Sequence, residues 1–219
     1  PRIIQQGCHG LASAVEGDAA YILPPGARPS TEYRGPAAGN ADAPLETALI
    51  PQYSFEPQGI IGDMNDPASW KLNSVENYIR YHVATLVENH RRSGSREPIG
   101  AVILGCTHFP YYLDSITASF ARLRGFTTPD GRKPYRALIP ESIAFVDPSK
   151  LTARELFQAL AGSGLLLGDS ETPVIFTDEF YISVPNATAP GVMLTGAGAF
   201  TQAYKYGRES GKFDVEYVK

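Results

Sequence analysis

The chain has 219 residues, enough for one large domain or two small ones with a real hydrophobic core. Apolar residues make up 43% and charged residues 19%, the balance of an ordinary globular protein and not of a disordered tail. Nineteen Lys and Arg against 23 Asp and Glu leave a net charge of −4, which argues against nucleic acid or an anionic membrane as the main partner.

No apolar run approaches the roughly 20 residues that a membrane-spanning helix needs. Two cysteines, Cys8 and Cys106, cannot form a disulfide framework. Free thiols in a reducing, cytoplasmic compartment are the simpler expectation. The chain opens Pro1-Arg2-Ile3-Ile4 without a Met or a polar lead-in, so it reads as a piece of something longer.

In chain order, Arg2 to Gln6 reads as a short strand closed by Gly7, and residues 8–16 as a tight turn and short helix. Residues 17–72 then hold eight prolines and six glycines, interleaved with short apolar stretches, and read as an irregular insertion. A lid, a dimer surface and a docking arm are all open for it. Asn73 or Ser74 caps a helix with apolar positions at Val75, Ile79, Val83, Leu86 and Val87, ended by Gly94. On that helix His82 and His90 are expected at the surface or an edge.

Ile99 to Leu104 is a continuous apolar run, which predicts a strand buried on both faces of a parallel sheet. Pro110 suits the first turn of a helix reaching about Arg124, followed by a polar loop over 125–141. Ile143 to Val146 is a second buried strand, and Asp147-Pro148-Ser149 leads into a helix over 151–161. Val174 to Val184 and Val192 to Leu194 read as strands, and Ala197 to Tyr206 as a helix. The alternation predicts a three-layer α/β fold with a mostly parallel sheet and right-handed crossovers. Chemistry in such folds sits at the carboxyl ends of the strands.

Gly105-Cys106-Thr107-His108-Phe109-Pro110 falls at such a place. A thiol opening a helix gains from free amides and the dipole, and its pKa is expected to fall. His108 can hold or relay a proton, and Thr107 with nearby amides can bind a carboxylate. The alternative is a small buried thiol with a histidine nearby by chance. Nucleotide-binding glycine motifs and zinc spacings are missing, so no metal or cofactor is expected.

The string Val102-Ile103-Leu104-Gly105-Cys106-Thr107-His108-Phe109-Pro110 closely resembles the second cysteine motif of the glutamate racemase branch of the aspartate/glutamate racemase family. Three further segments resemble that family in the same order: Gly7-Cys8-His9-Gly10-Leu11 through Val15-Glu16, Phe145 to Ser149 with Thr152-Ala153-Arg154-Glu155, and Val192 to Gly196 with Phe200. The resemblance leaves out 17–72 and roughly 177–191, so it divides the chain into a racemase-like start at 1–16, the insertion at 17–72, and a racemase-like α/β domain over 73–219.

The resemblance implies a cofactor-independent amino-acid racemase, glutamate being the expected substrate. Cys106 would be acid and base on one face of the α-carbon, assisted by His108 and by Glu16, with Thr107 on the substrate carboxylate. It also implies that the N-terminal half of the family fold, with the opposing cysteine, is absent, so that half is an expected partner. A homo-oligomer is possible. Cys8 is expected to be structural, its pKa less shifted than that of Cys106, and Asp147 to have no catalytic role. A one-cysteine relative such as a decarboxylase and a non-catalytic racemase-like half remain as alternatives.

Overall fold

One helix organises the chain. In a computed structural model, which describes residues 2–23, 33–166, 184, 186–188, 190–196, 198, 200–201 and 203–204, helix α3 spans Val75–Arg92. It follows two short helices, α1 (Leu11–Val15) and α2 (Ile50–Tyr53). Ser74 caps α3 by accepting a hydrogen bond from the Asn77 N–H at 3.1 Å. Glu76 in its first turn and His90, Arg91 and Arg92 in its last suit the helix dipole.

Buried residues occur on almost every side of α3, among them Tyr78, Ile79, Tyr81, Val87 and Glu88. They are covered in large part by the Pro/Gly-rich stretch. Its described residues Tyr21, Leu45, Leu49, Tyr53 and Leu72 belong to the same hydrophobic core. The buried Asn77 amide stands in for a strand partner: Nδ2 donates to the carbonyls of Glu56 at 2.9 Å and Gly59 at 3.0 Å, and Oδ1 accepts from the Glu56 N–H at 2.9 Å. A two-stranded antiparallel ribbon, β1 (Ile60–Ile61) with β2 (Lys71–Leu72), closes this layer.

This covering corrects the expectation for the two histidines. His82 and His90 are buried, not at the surface. Each ring meets a backbone carbonyl through Nε2, His82 that of His9 at 3.0 Å and His90 that of Glu97 at 2.7 Å. A carbonyl can only accept, so each Nε2 carries the proton.

The α/β class holds. Strand β3 (Ala101–Ile103) runs parallel to β4 (Ala144–Val146), with Val102 opposite Phe145. Helix α4 (Leu113–Gly125) makes the crossover and packs against α3. The predicted polar loop after α4 buries Tyr135, Leu138 and Ile139, and the Leu138 carbonyl accepts from the Ile99 N–H at 2.9 Å. Helix α5 (Pro148–Gly162) begins three residues earlier than expected, because the Asp147 carboxylate accepts from the Ser149 N–H at 2.9 Å and caps it.

The strands are not buried on both faces. Ile103 is 70% exposed, Ala101 and Ala144 are exposed, and α5 carries no buried residue. An apolar run records what a surface can be buried against, and among the described residues only one face has its cover. Residues 2–8 form no strand, and Ile3 faces solvent, because no ladder partner lies beside them.

By contacts the chain divides into Pro1–Leu166 and Leu167–Lys219. In the second unit the strand expected over 174–184 lies outside the described residues except Val184. Leu194 and Phe200 form an antiparallel bridge, the Thr201 N–H donates to the Met193 carbonyl at 2.9 Å, and Phe200 stacks on Tyr204 at 5.1 Å. The helix expected from 197 is therefore not formed at Phe200 and Thr201; of its described residues only Ala203 and Tyr204 are helical.

The C-terminal end of α3 is fastened by Glu88. Its buried carboxylate accepts from Arg91 Nε and Nη2, both at 2.8 Å, from Arg92 Nε at 2.9 Å and from Tyr135 Oη at 2.9 Å. Burial pushes the Glu88 carboxyl up, but the hydrogen bonds from Arg91 and Tyr135 outweigh it and hold the group below the usual value. A depressed carboxyl stabilises the fold above its unfolded pKa and loses that contribution as pH falls through the folded one. Glu88→Gln is expected to lower stability by about 1–3 kcal/mol at pH 7, since both arginines are half-exposed, and to flatten the loss of stability in acid. Urea unfolding across pH 3–7 checks both effects.

A thiol, imidazole and carboxylate candidate active site

Cys106 sits two residues past the carboxyl end of β3's apolar run, after Gly105, in a bend and not on a helix. The chain continues through a short 3₁₀ turn, Phe109–Tyr112, and α4 starts only at Leu113. The helix-dipole argument for the thiol therefore does not apply at this distance. What the bend supplies is His108. Its Nδ1 lies 3.4 Å from Cys106 Sγ, within reach for a sulfur hydrogen bond, and the Phe109 N–H closes the bend on the Cys106 carbonyl at 3.2 Å.

The other ring nitrogen of His108 meets a residue from the far end of the chain. Nε2 lies 3.1 Å from Oε1 of Glu16, which terminates α1. A carboxylate at Nε2 favours the proton there and leaves the Nδ1 lone pair free to accept from the thiol. The order Glu16, His108, Cys106 is thus that of an orienting acid, a base and a nucleophile or acid/base thiol. The Glu16 side chain is 55% exposed and that of His108 29%, so solvent screens the pair and its own contribution to stability is small.

The structure brings Cys106, His108 and Glu16 together. Thr107, on the same bend, is exposed and open to a ligand.

Cys8 differs from expectation in the size of its pKa shift. It lies in the turn before α1, half-buried, with Sγ 3.8 Å from the Gln6 carbonyl. Burial, and then the nearness of the Cys106 sulfur, push its thiol up to about 11. It is a neutral thiol beside the site, with a larger shift than expected and in the upward direction. The packing of Cys8 against the hydrophobic core that raises its pKa is not visible in local sequence. Among the described residues no three His, Cys, Asp or Glu side chains converge to hold a metal ion, and no helix is long and apolar enough to cross a membrane.

These features define an α/β protein with a thiol and an imidazole within hydrogen-bond reach beyond the carboxyl end of a parallel strand. Over 155 residues the chain is 26% identical to a glutamate racemase of Thermus thermophilus, a match covering 66% of this chain and 47% of that protein. The chain spans about half the length of the curated relative it matches. No family model and no solved structure matches it.

The two thiols are expected to react differently. At pH 7 Cys8 is almost wholly protonated, whereas Cys106 can pass its proton to His108. Limited iodoacetamide followed by peptide mapping should label Cys106 at least about tenfold faster than Cys8, because burial keeps the Cys8 thiol protonated. Equal labelling of the two in the unmodified chain would contradict the site.

Proposed function

We propose that this chain provides one acid/base side of a cofactor-independent amino-acid racemase acting on glutamate, in the cytoplasm. The observation that carries the reading is the Glu16–His108–Cys106 arrangement at the end of β3, joined to the similarity with a glutamate racemase.

Racemisation removes a weakly acidic α-proton on one face and delivers one on the other. Without an electron sink, two opposed acid/base groups must flank the carbon. Cys106 passes its proton to Nδ1 of His108, whose Nε2–H is held by Glu16, and the thiolate then takes the α-proton. In the reverse direction the Cys106 thiol returns it. Thr107 binds the substrate carboxylate through its hydroxyl and amide, keeping the α-carbon over the sulfur.

The opposing base belongs to a complementary half, the N-terminal half of the same protein. Exposed apolar surface at Ile103 of β3 and at Leu156 and Phe157 of α5 supports this reading. A one-thiol reaction, in which an enolate formed by decarboxylation is protonated from one face, is the second reading. It is favoured by the fact that only Cys106 has an imidazole partner while Cys8 is held neutral.

Circular dichroism of D- and L-glutamate in D₂O tests the proposal. The 219-residue chain alone is expected to give no racemisation. In the protein that carries the complementary half, Cys106→Ser should lower kcat about 10³-fold in at least one direction. Unchanged racemisation by that variant, or robust turnover by the chain alone, would overturn the reading; decarboxylation without racemisation would select the second one.

A further inference from the structure

Four features converge on the turn that carries Cys8. First, the ring of His82, only 4% exposed, reaches from the middle of α3 to the His9 carbonyl at 3.0 Å, a contact across 73 residues of sequence. Second, the ring is committed to this one bond. Its Nε2 must donate, and its Nδ1 is buried with no hydrogen-bond partner among the described residues. Protonation would place an N–H there with nothing to accept it, and the pKa is accordingly pushed down to about 4 by burial.

Third, the turn is packed on one side only. Gly10, at φ +74, presses on the Tyr21 ring, and a Cβ there would also lie 3.2 Å from Tyr78. Gly7 has no atom within 4 Å of where a Cβ would stand. A cavity of about 230 Å³ opens beside it, lined by Gln6, Gly7, His9 and His82 among others. Fourth, the turn feeds directly into the site. It holds Cys8, and α1, which ends at Glu16, grows from it: the Leu11 N–H donates to the Cys8 carbonyl at 3.1 Å and the Ala14 N–H to that of Gly10 at 2.8 Å.

From this we infer that His82 is a positioning residue for the thiol site: its Nε2–H clamps the His9 carbonyl and keeps the Cys8 turn from swinging into the neighbouring cavity. The inference rests on the reading of Cys106 and its partners as an active site, but the clamp itself is a statement about Cys8. The other tie on the turn, His9 Nε2 to the Arg34 carbonyl at 2.8 Å, is exposed and open to exchange with water. The groups that face the clamp from other elements are His9, Asp42 and Glu46, and Glu46 is engaged by Arg92 at 2.8 and 3.0 Å. None of them hydrogen-bonds the His82 Nδ1.

The test uses the chain as it stands and needs no turnover, so its failure is separate from failure of the racemase reading. His82→Leu removes the donor, His82→Gln keeps an amide N–H at similar reach, and Val87→Ala, on the same buried helix, serves as a control for lost stability alone. Iodoacetamide labelling is followed by peptide mapping from pH 6 to 10, with thermal melts alongside. The leucine variant is expected to raise Cys8 labelling relative to Cys106 at least fivefold and to move the onset of Cys8 labelling to lower pH. The glutamine variant should restore most of both, and the Val87 variant should change neither. An unchanged Cys8 to Cys106 ratio in the leucine variant, or the same change in the Val87 control, would overturn the inference. Should the leucine variant not fold, a long-range ¹H–¹⁵N spectrum of the unmodified protein decides: an Nε2–H tautomer at His82 with slow proton exchange supports the clamp, and an Nδ1–H tautomer refutes it.

Discussion

The burial of α3 is the constraint on which the other elements depend. An ordinary surface helix hides one stripe. This one is covered from several sides, so each polar group it carries inward must find a partner within the protein. Asn77 finds the backbone at Glu56 and Gly59, Glu88 finds two arginines and Tyr135, and His82 and His90 find carbonyls. Each pairing fastens a different segment to the helix: the 50s, the loop after α4, the Cys8 turn, and the approach to β3. Buried polar pairs contribute modestly to net stability, yet they tolerate few alternative arrangements, which makes them effective at fixing register.

The candidate site follows from that framework. Cys106 and His108 are set by a bend after β3, held in turn by the parallel pairing with β4. Glu16 arrives from a five-residue helix too short to be stable by itself, and so its position is owed to the packing of Leu11 and Ala14 into the core around α3. Glu16 and His108 thus meet across 92 positions of sequence. The half-exposed state of that pair fits a site that must admit a polar substrate. The uncovered sheet face and the bare sides of α5 lie on the same unit, and they mark where its burial is incomplete.

Local chemistry made much of this legible. Ser74 and Gly94 bracketed α3, the run at 99–104 announced β3, and Asp147-Pro148-Ser149 announced the turn into α5, though not the cap that starts it at Pro148. Cys106 with His108 two residues on needed only a bend to meet, so their contact could be expected from spacing. The strand expected over 2–6 failed for the opposite reason, since a strand exists only through a partner and Arg2 to Gln6 have none among the described residues. The apolar run 99–104 likewise showed what could be buried, while the exposure of Ile103 was decided by what covers it.

What the sequence determined by itself was therefore the part controlled by neighbours along the chain: helix starts and stops, the parallel α/β class, and a thiol and imidazole two residues apart. What only the tertiary structure decided was every property that depends on residues distant in sequence. The Pro/Gly-rich stretch became the wall of the core around α3. His82 became a buried tether and not a surface residue. Cys8 became a neutral thiol pushed up to about 11, and Glu16 met His108 at 3.1 Å. The physical reason is common to all four: burial, desolvation and long-range hydrogen bonds are set by which surfaces meet, and no local pattern encodes the partner.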